Sequence, residues 1–424
     1  MLKEFNTQFS NFLLSMSDAI DIASPQIASH QMRTAFIAWK IAVAAGLPEN
    51  AVEKIFLAAI LHDIGALSLE EKIQLHNGFE KINIDTHCIL GETLFKLSPL
   101  LSPAAKIVRN HHRSWQTWDA PIDSPDVTES QIVALADIVE RSIIRNQYII
   151  HQVDRIRDKV ASLSGSEIHP DIVDIFIEIS HSEDFWFDLV SSRLYSLLLH
   201  FGPFRQTQLF KNDILSIAHT FRHLIDFKSK FTTTHSSGVA ECAVMLAQYF
   251  GFADHEIAQI EIAGHLHDLG KLAVPNYILE KPGRLTKKEF EIIKQHAYFT
   301  YTVLSTIGGL DSIAEWAAFH HEKLDGSGYP FHLKADKINI GSRIISVADI
   351  FTALSEDRPY RNSMDEKQIR YVLMSKTTDK SLDKYIVDIL LDNFHAILGN
   401  VKSKQQEAQR LFEEKFQQSK NANN

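Results

Sequence analysis

The sequence predicts an all-α fold made of two tandem copies of one helical domain. Apolar residues recur at three- and four-residue steps along most of the chain, as at Val239, Ala243, Leu246 and Phe250, which share one face of a helix. Alternating polar and apolar stretches between hairpin turns, which would indicate a sheet, are not found in the sequence. A third observation, an internal repeat of histidines and aspartates, defines the two copies.

Composition and charge restrict the class of protein. The chain has 424 residues, 45% hydrophobic and 23% charged, an ordinary globular composition large enough for two or three domains. A net charge of −10 argues against a DNA-binding coat or a polybasic membrane binder. Cys88 and Cys242 are too few for a disulfide scaffold, and no apolar run reaches the roughly 20 residues of a membrane helix. We expect a cytoplasmic protein that binds neither DNA nor membrane.

The internal repeat matches seven positions of one half of the chain to seven of the other. In the first half these are His30, His62, Asp63, His87, His111, His112 and Asp137. In the second half they are His235, His267, Asp268, His296, His320, His321 and Asp349. The first two histidines are 32 residues apart in both halves, and the third histidine precedes the paired histidines by 24 residues in both. The repeat predicts domains at 1–200 and 205–400, followed by a polar tail at 401–424 that begins as a helix and frays.

Helices and loops can be placed around this repeat. Residues 51–62 and 257–267 have helical periodicity, and each stretch ends at a histidine that is followed by an aspartate. Glycine and proline gather in segments that we interpret as loops, namely 121–125, 202–203, 282–283 and 326–330. On one helix, His267 and Asp268 would lie about 100° apart, with Lys271 one turn beyond His267.

The seven residues of the second half suit a binuclear metal centre. Imidazole nitrogens together with carboxylates favour iron or manganese, and a carboxylate can bridge two ions. Five histidines and two aspartates exceed what one tetrahedral structural zinc needs, and no cysteine belongs to the set. Two neighbouring ions can lower the pKa of a shared water and stabilise both oxygens of a phosphoester that is being cleaved. His255, His265 and His332 lie outside the repeat and are interpreted as ordinary structural residues.

The second half contains several further motifs. They are HSSGVA (235–240), LHDLGKLAVP (266–275), ILEKPGRLT (278–286), HHEKLDGSGYP (320–330), RIISVADIF (343–351) and RPYR (358–361). With these motifs the sequence resembles the HD superfamily of metal-dependent phosphohydrolases, and more narrowly the HD-GYP domains. The resemblance implies two HD-type helical domains, with two divalent ions in the second. It also implies hydrolysis of a cyclic dinucleotide, cyclic di-GMP or 3′3′-cyclic GMP-AMP, to the linear dinucleotide.

The resemblance also implies roles for particular residues. The seven residues of the second half would be the ligands of iron or manganese, with Asp268 as the catalytic, bridging carboxylate. Lys271 would hold a phosphate oxygen and stabilise its charge. Arg358 and Arg361 would bind substrate phosphates, for which guanidinium groups are well shaped. The DGSGYP loop would be a substrate lip or a contact for diguanylate-cyclase-type proteins.

Four positions depart from the family pattern. Phe231 stands where members with a third metal have glutamate, so two metals are expected. Gly238 replaces the usual arginine of the first motif, and Thr352 replaces a common aspartate. His332 stands where a glycine is usual. These departures leave the core chemistry intact and the base preference open.

The first half keeps all seven repeat residues but lacks other parts. Ala66 stands in place of the lysine, and neither a GYP loop nor an RPYR segment follows. Trp115 and Trp118 could stack a base, although packing is the commoner role. Three hypotheses stay open. The domain could be a 5′-nucleotidase acting on the linear product, a regulatory pseudo-enzyme that binds metal or nucleotide, or a structural module that forms a homodimer.

The predicted function is hydrolysis of a cyclic dinucleotide at the second copy. One rival is a nucleotide 5′-phosphohydrolase, against which the GYP and RPYR segments argue. Another is a cyclic-dinucleotide receptor or scaffold with a regulatory first domain, against which the complete ligand set and Lys271 argue. Both cyclic substrates carry two anionic phosphates, so site chemistry alone does not separate them.

Overall fold

The backbone is helical almost throughout. The computed structural model describes residues 7–22, 26–76, 84–228, 233–357 and 362–414. Among them the only strands are Thr7–Gln8 and Gln208–Leu209, which pair as a two-stranded sheet. The prediction of an all-α fold is therefore confirmed. Within the same residues, no helix is both long enough and apolar enough to cross a membrane.

The chain forms two compact units. One consists of Gln8–Leu209, and the other begins at Phe210 and includes Thr7. The first unit contains α1 (Phe9–Asp21), α2 (His30–Ala44), α3 (Glu49–Ile60), α4 (Leu69–His76), α5 (Ile84–Phe95), α6 (Ala105–Asn110), α7 (Pro125–Arg141), α8 (Val153–Ser162), α9 (Pro170–Ile179), α10 (Glu183–Val190) and α11 (Leu194–Phe201). Short 3₁₀ helices lie at Ser102–Ala104, Trp115–Thr117 and Ile149–Gln152.

The second unit follows the same plan. It contains α12 (Lys211–Lys228), α13 (His235–Phe250), α14 (Asp254–Leu266), α15 (Asn276–Leu279), α16 (Lys287–Ser305), α17 (Asp311–Ala318), α18 (Ile340–Ser355), α19 (Glu366–Thr378), α20 (Lys384–Asp392) and α21 (Phe394–Phe412). Its 3₁₀ helices lie at Leu269–Ala273, Phe319–His321 and Ala335–Lys337.

Each unit has a core in which one central helix packs against its neighbours. In the first unit α2 packs against α3 and α7, and in the second α13 packs against α14, α18 and α21. Val239, Ala243 and Leu246 are buried on one face of α13, as the periodicity predicts, while Phe250 at its end is half-buried. Burial of this apolar face, rather than helix propensity, supplies most of the stability of such a helix.

The repeat residues occupy equivalent places in the two units. The first histidine opens α2 or α13, the third lies in α5 or α16, and the last aspartate lies in α7 or α18. The sequence analysis placed His267 and Asp268 on one helix. In the structure α14 ends at Leu266, so this pair lies at the helix end, where the chain turns into a 3₁₀ helix.

The segment predicted as a polar tail begins inside a packed helix. Helix α21 starts at Phe394, contacts α13, and buries Val401 and Ala408. This helix extends to Phe412. Residues 415–424, where the tail is predicted to fray, lie outside the described residues.

Candidate metal centres

The structure of the second unit brings its predicted ligands together. His235 Nε2 lies 3.1 Å from Asp349 Oδ1. The two oxygens of Asp268 face different imidazoles, with Oδ2 3.2 Å from His267 Nε2 and Oδ1 3.5 Å from His296 Nε2. The paired histidines complete the cluster, since the rings of His267 and His320 are 5.0 Å apart and those of His296 and His321 are 5.1 Å apart. Asp268 thus has the position of a bridging carboxylate.

The imidazole rings are oriented for metal binding. In His267, His296 and His320, Nδ1 lies 2.6–2.8 Å from the backbone carbonyl three residues earlier in the chain. A carbonyl only accepts hydrogen bonds, so Nδ1 carries the proton and Nε2 carries the lone pair. The three Nε2 atoms are buried and have no hydrogen-bond partner. Buried lone pairs without a partner are costly, and a divalent ion would satisfy them, so these residues fit a metal centre.

Two residues that sequence analysis missed stand behind the first ligand. Glu356 Oε1 lies 3.0 Å from Nδ1 of His235. On α21, Gln405 donates a hydrogen bond of 3.2 Å to the other oxygen of Glu356. Although burial alone would lower the pKa of His235, the carboxylates of Glu356 and Asp349 raise it to about 10. Glu356 follows Asp349 by seven residues, two helical turns, which is the one pattern that could have indicated it.

The packing of α21 explains two departures from the family pattern. A Cβ atom at Gly238 would lie 2.7 Å from Thr352 Cγ2 and 2.9 Å from Gln405 Nε2. There is therefore no room at Gly238 for the usual arginine while Gln405 reaches Glu356. The changes at Gly238 and Thr352 are neighbours in space, and both positions lie next to Gln405.

Lys271 lies directly on the carboxylate of Asp268. Its Nζ donates a hydrogen bond to Asp268 Oδ2. Burial alone would raise the pKa of Asp268, but Lys271 and the neighbouring imidazoles hold that pKa well below its usual range. Asp268 is therefore ionised, the form that can bridge two cations.

A glycine follows the His-Asp pair in both units because the backbone comes very close to the next helix. A Cβ atom at Gly270 would lie 2.0 Å from the carbonyl oxygen of His296, and one at Gly65 would lie 2.0 Å from that of His87. Any larger residue would push the His-Asp segment away from the helix that carries the third histidine. This contact accounts for the glycine of the LHDLG and LHDIG motifs.

The GYP loop folds back onto the second centre. A Cβ atom at Gly328 would lie 2.4 Å from the backbone nitrogen of Lys323, so this position needs glycine. The ring of Tyr329 lies 4.8 Å from that of His321. Glu322 fixes the end of the loop, since its carboxylate accepts hydrogen bonds from two backbone N–H groups, those of residues 331 and 333, at 2.7 and 2.9 Å. Tyr329 therefore lies at the edge of the cluster.

The predicted substrate-binding arginines, Arg358 and Arg361, lie outside the described residues, as does Phe231. Their predicted roles stay predictions.

The first unit brings its seven residues together in the same way. Oδ2 of Asp63 lies 3.6 Å from His30 Nε2 and 3.5 Å from His62 Nε2. Its Oδ1 lies 3.6 Å from His87 Nε2 and 3.8 Å from His111 Nε2, and forms no hydrogen bond. Asp137 faces His30, His62 and His112 at 3.6, 3.7 and 4.0 Å. Asp63 again lies between two sets of imidazoles, so this site fits a metal centre as well.

Three arginine side chains lie close to carboxylates of the first centre. Glu140 Oε2 lies 2.5 Å from His30 Nδ1, and its other oxygen accepts hydrogen bonds from Arg145 at 2.9 Å and Arg33 at 3.5 Å. In the repeat, Arg33 and Glu140 correspond to Gly238 and Thr352 of the second unit. Arg141 Nη2 lies 2.8 Å from Asp137 Oδ2.

A cysteine adds to the first centre. Cys88 Sγ lies 3.6 Å from His87 Nε2, and His87, Cys88, His111 and His112 each offer a ligand atom within 4.8 Å of the others. Burial would raise the pKa of this thiol, but His111 and His87 lower it to about 6. The corresponding residue of the second unit is Ala297, so the sequence comparison of the two halves could have indicated this difference.

The two tryptophans of the first unit contact neighbouring side chains. The guanidinium of Arg113 lies 4.3 Å from the ring of Trp118, and the ring of Trp115 lies 4.5 Å from that of His169. These contacts favour the packing role.

Comparison with known proteins identifies the class. Models of the HD domain match residues 27–142 and 219–383. The chain therefore contains two tandem HD domains, as predicted, and it is homologous to the HD-GYP cyclic-dinucleotide phosphodiesterases.

Particular relatives refine this assignment. The chain is 29% identical over 399 residues to 3′3′-cGAMP-specific phosphodiesterase 1 of Vibrio cholerae, covering 92% of this chain and 93% of that protein. It is 37% identical over 155 residues to a cyclic di-GMP phosphodiesterase of Thermotoga maritima, covering 36% of this chain and 42% of that protein. A crystal structure of a cyclic GMP-AMP-specific phosphodiesterase of Vibrio cholerae shares the fold, with a TM-score of 0.64 and 22% identity, over 92% of this chain and 98% of that one.

Proposed function

We propose that the second unit is a metal-dependent phosphodiesterase that hydrolyses a cyclic dinucleotide to the linear dinucleotide. The observation that carries this proposal is the position of Asp268 between the imidazoles of His267 and His296, with Lys271 on its oxygen. We take 3′3′-cyclic GMP-AMP as the substrate and cyclic di-GMP as the competitor. Relatives that cover 92%, 50% and 43% of this chain are named for the former, whereas a relative that covers 36% of it is named for the latter.

The metals proposed are two ions of iron or manganese, held by the seven residues of the second unit. Such ions supply Lewis acidity to a phosphodiester and lower the pKa of a bound water. Asp268, kept ionised by Lys271, holds one oxygen toward each set of imidazoles. Lys271 lies close enough to place its ammonium on a phosphate oxygen that approaches Asp268.

Other residues of this unit would bind the substrate rather than the metals. Tyr329, packed on His321, borders the cluster and gives the GYP loop the role of a substrate lip. Arg358 and Arg361 are proposed to bind the phosphates. We place the reaction in the cytoplasm, with no DNA or membrane bound. The alternative role for the GYP loop is to bind diguanylate-cyclase-type proteins.

For the first unit we propose hydrolysis of the terminal 5′-phosphate of the linear product, releasing inorganic phosphate. The observation that favours this function is the set of guanidinium groups around the centre, from Arg33, Arg141 and Arg145. A terminal phosphate carries more charge than a diester, and arginine suits it. Under this proposal the predicted domain 1–200 releases the phosphate and the predicted domain 205–400 opens the cyclic dinucleotide. A regulatory domain or a homodimer module are the alternatives.

The proposal is tested by product chromatography on the full chain prepared without air and loaded with Fe²⁺ or Mn²⁺. The protein is offered 3′3′-cyclic GMP-AMP and cyclic di-GMP separately, before and after removal of metal by a chelator. Metal-dependent appearance of a linear dinucleotide is expected, with faster turnover of the hybrid substrate. Tight binding of both compounds by metal-loaded protein without any product would show a receptor instead. Hydrolysis confined to nucleoside monophosphates would show a 5′-phosphohydrolase.

A further inference from the structure

A second cluster of ligand-type side chains lies in the second unit, apart from the seven-residue centre. His219 on α12, with Glu261 and His265 on α14, each offer one nitrogen or oxygen, and these three atoms lie within 4.8 Å of one another. Glu261 and His265 are four residues apart on a helix, so they lie on the same face. His265 and His267 are two positions apart, which is about 200° around a helix, and His267 directly follows the last residue of α14, so the two clusters lie on opposite sides of this helix end.

Each histidine of this cluster has a buried nitrogen that is unsatisfied, although the His219 residue as a whole is only half-buried. Nε2 of His219 and Nδ1 of His265 have no hydrogen-bond partner. Only 4% of the His265 surface is exposed, and the two rings stand perpendicular with their centres 4.5 Å apart. Burial and the nearby charge of Arg222 lower the pKa of His219 to about 4, so its imidazole is in the neutral form that binds metals.

The first unit shows that the fold does not require polar residues at these positions. The repeat relates residues 205 positions apart, as His30 and His235 show. The counterparts of His219, Glu261 and His265 are Leu14, Phe56 and Ile60, all fully buried and apolar. The same offset holds on α1 and α12. Asp21 on α1 accepts a hydrogen bond from the backbone N–H of Gln31, and Asp226, 205 positions later on α12, accepts one from the hydroxyl of Ser236. Replacing an apolar trio by two histidines and a glutamate costs stability unless their polar atoms find a partner.

We propose that His219, Glu261 and His265 bind one Zn²⁺ ion. Two imidazole nitrogens and one carboxylate oxygen form a zinc ligand set that leaves a fourth position for water. Glu261 supplies the negative charge. Arg222, buried nearby, interacts with the carboxylates of Asp226 and Glu407 as well as with Glu261, so its charge is offset. The ion links α12 to α14 on the side of α14 that faces away from the phosphodiesterase centre.

The test counts zinc in the full chain and locates it. Metal is removed from the protein with a chelator, Zn²⁺ is added back, and unbound Zn²⁺ is removed. The zinc that stays bound is then measured by mass spectrometry. The variants are His219→Leu/His265→Ile, which restores the residues of the first unit, and Glu261→Gln, with His255→Leu on an exposed turn of α14 as the matched control. Asp268→Ala provides a second background in which the phosphodiesterase centre is damaged.

The histidine pair variant is expected to hold one zinc fewer per chain than its parent, in the native background and in Asp268→Ala, while His255→Leu matches the native count. Glu261→Gln is expected to bind this zinc at least tenfold more weakly. Anomalous scattering at the zinc edge should give a peak between α12 and α14. A zinc count in the folded pair variant equal to that of the native chain would overturn the proposal, as would a map without that peak. If the pair variant does not fold, native zinc affinity in Glu261→Gln overturns it.

Discussion

The two units bring together the same seven candidate ligands but surround them with different charges. In the second, Lys271 lies on the carboxylate of Asp268. In the first, the corresponding residue is Ala66, and the cation instead lies on Asp137, where Arg141 approaches to 2.8 Å. The same backbone thus arranges the same candidate ligands twice, and under the proposed function the few cations that differ would decide where each unit holds a phosphate.

The support of the first histidine differs as well. In the first unit a glutamate three residues after the last aspartate, Glu140, lies against His30, and Arg33 and Arg145 bind it. In the second unit the glutamate comes seven residues after that aspartate, as Glu356, and an amide from α21 binds it. Each unit therefore places a carboxylate behind this imidazole, although the residues that do so are not equivalent in the repeat.

The largest expected effect separates the two bridging carboxylates. Asp268→Ala removes the group that faces both sets of imidazoles in the second unit, so ring opening should fall by at least about a thousandfold. Asp63→Ala is the matched change in the first unit and should lower ring opening by less than about threefold. Initial rates with the cyclic substrate measure both. Equal losses in the two variants would mean that the units do not divide the chemistry.

The cation on Asp268 gives the next largest effect. Lys271→Ala should lower kcat/KM for ring opening by about a hundredfold, because a charge that meets the phosphate is lost. Lys271→Arg should recover part of the activity. The reciprocal change Ala66→Lys introduces the lysine into the first unit and is expected to leave ring opening unchanged. Full activity in Lys271→Ala would remove this residue from the mechanism.

The carboxylates behind the first histidines should affect metal affinity rather than chemistry. Glu356→Gln is expected to weaken metal binding in the second unit by about 10- to 100-fold, and Glu140→Gln should do the same in the first. Metal titrations monitored by calorimetry measure the affinity of both variants. The two effects should be independent, since they concern separate centres. Native affinity in Glu356→Gln would show that its contact with His235 is incidental.

The smallest expected effect comes from the helix that closes the second unit. Gln405→Ala removes one hydrogen bond to Glu356, which contributes about 0.5–1.5 kcal/mol, and should weaken metal binding by about two- to tenfold. Gln406→Ala changes an exposed neighbour on the same helix and serves as the control. If the two variants behave alike in the metal titration, α21 has no part in positioning Glu356.

Much of the site was predictable because the repeat preserves both residue type and spacing. Asp63 and Asp268 stand out by their place in the two copies, and the helical periodicity is enough to predict the fold. Gln405 was not predictable, since it reaches the centre from a helix more than 130 residues beyond Asp268 along the chain. His265 was set aside because it has no counterpart in the repeat. Its unpaired nitrogen and its contact with His219 become visible only when α12 and α14 are packed together.

The central claim, that two equivalent metal centres divide one reaction sequence, is tested most directly by crossing two variants with two substrates. Asp63→Ala and Asp268→Ala, each metal-loaded, are supplied separately with 3′3′-cyclic GMP-AMP and with its linear 5′-phosphorylated product. We predict that Asp63→Ala converts the cyclic compound and accumulates the linear one. Asp268→Ala should leave the cyclic compound intact and release phosphate from the linear one. Ring opening that survives in Asp268→Ala, or is lost in Asp63→Ala, would contradict the account.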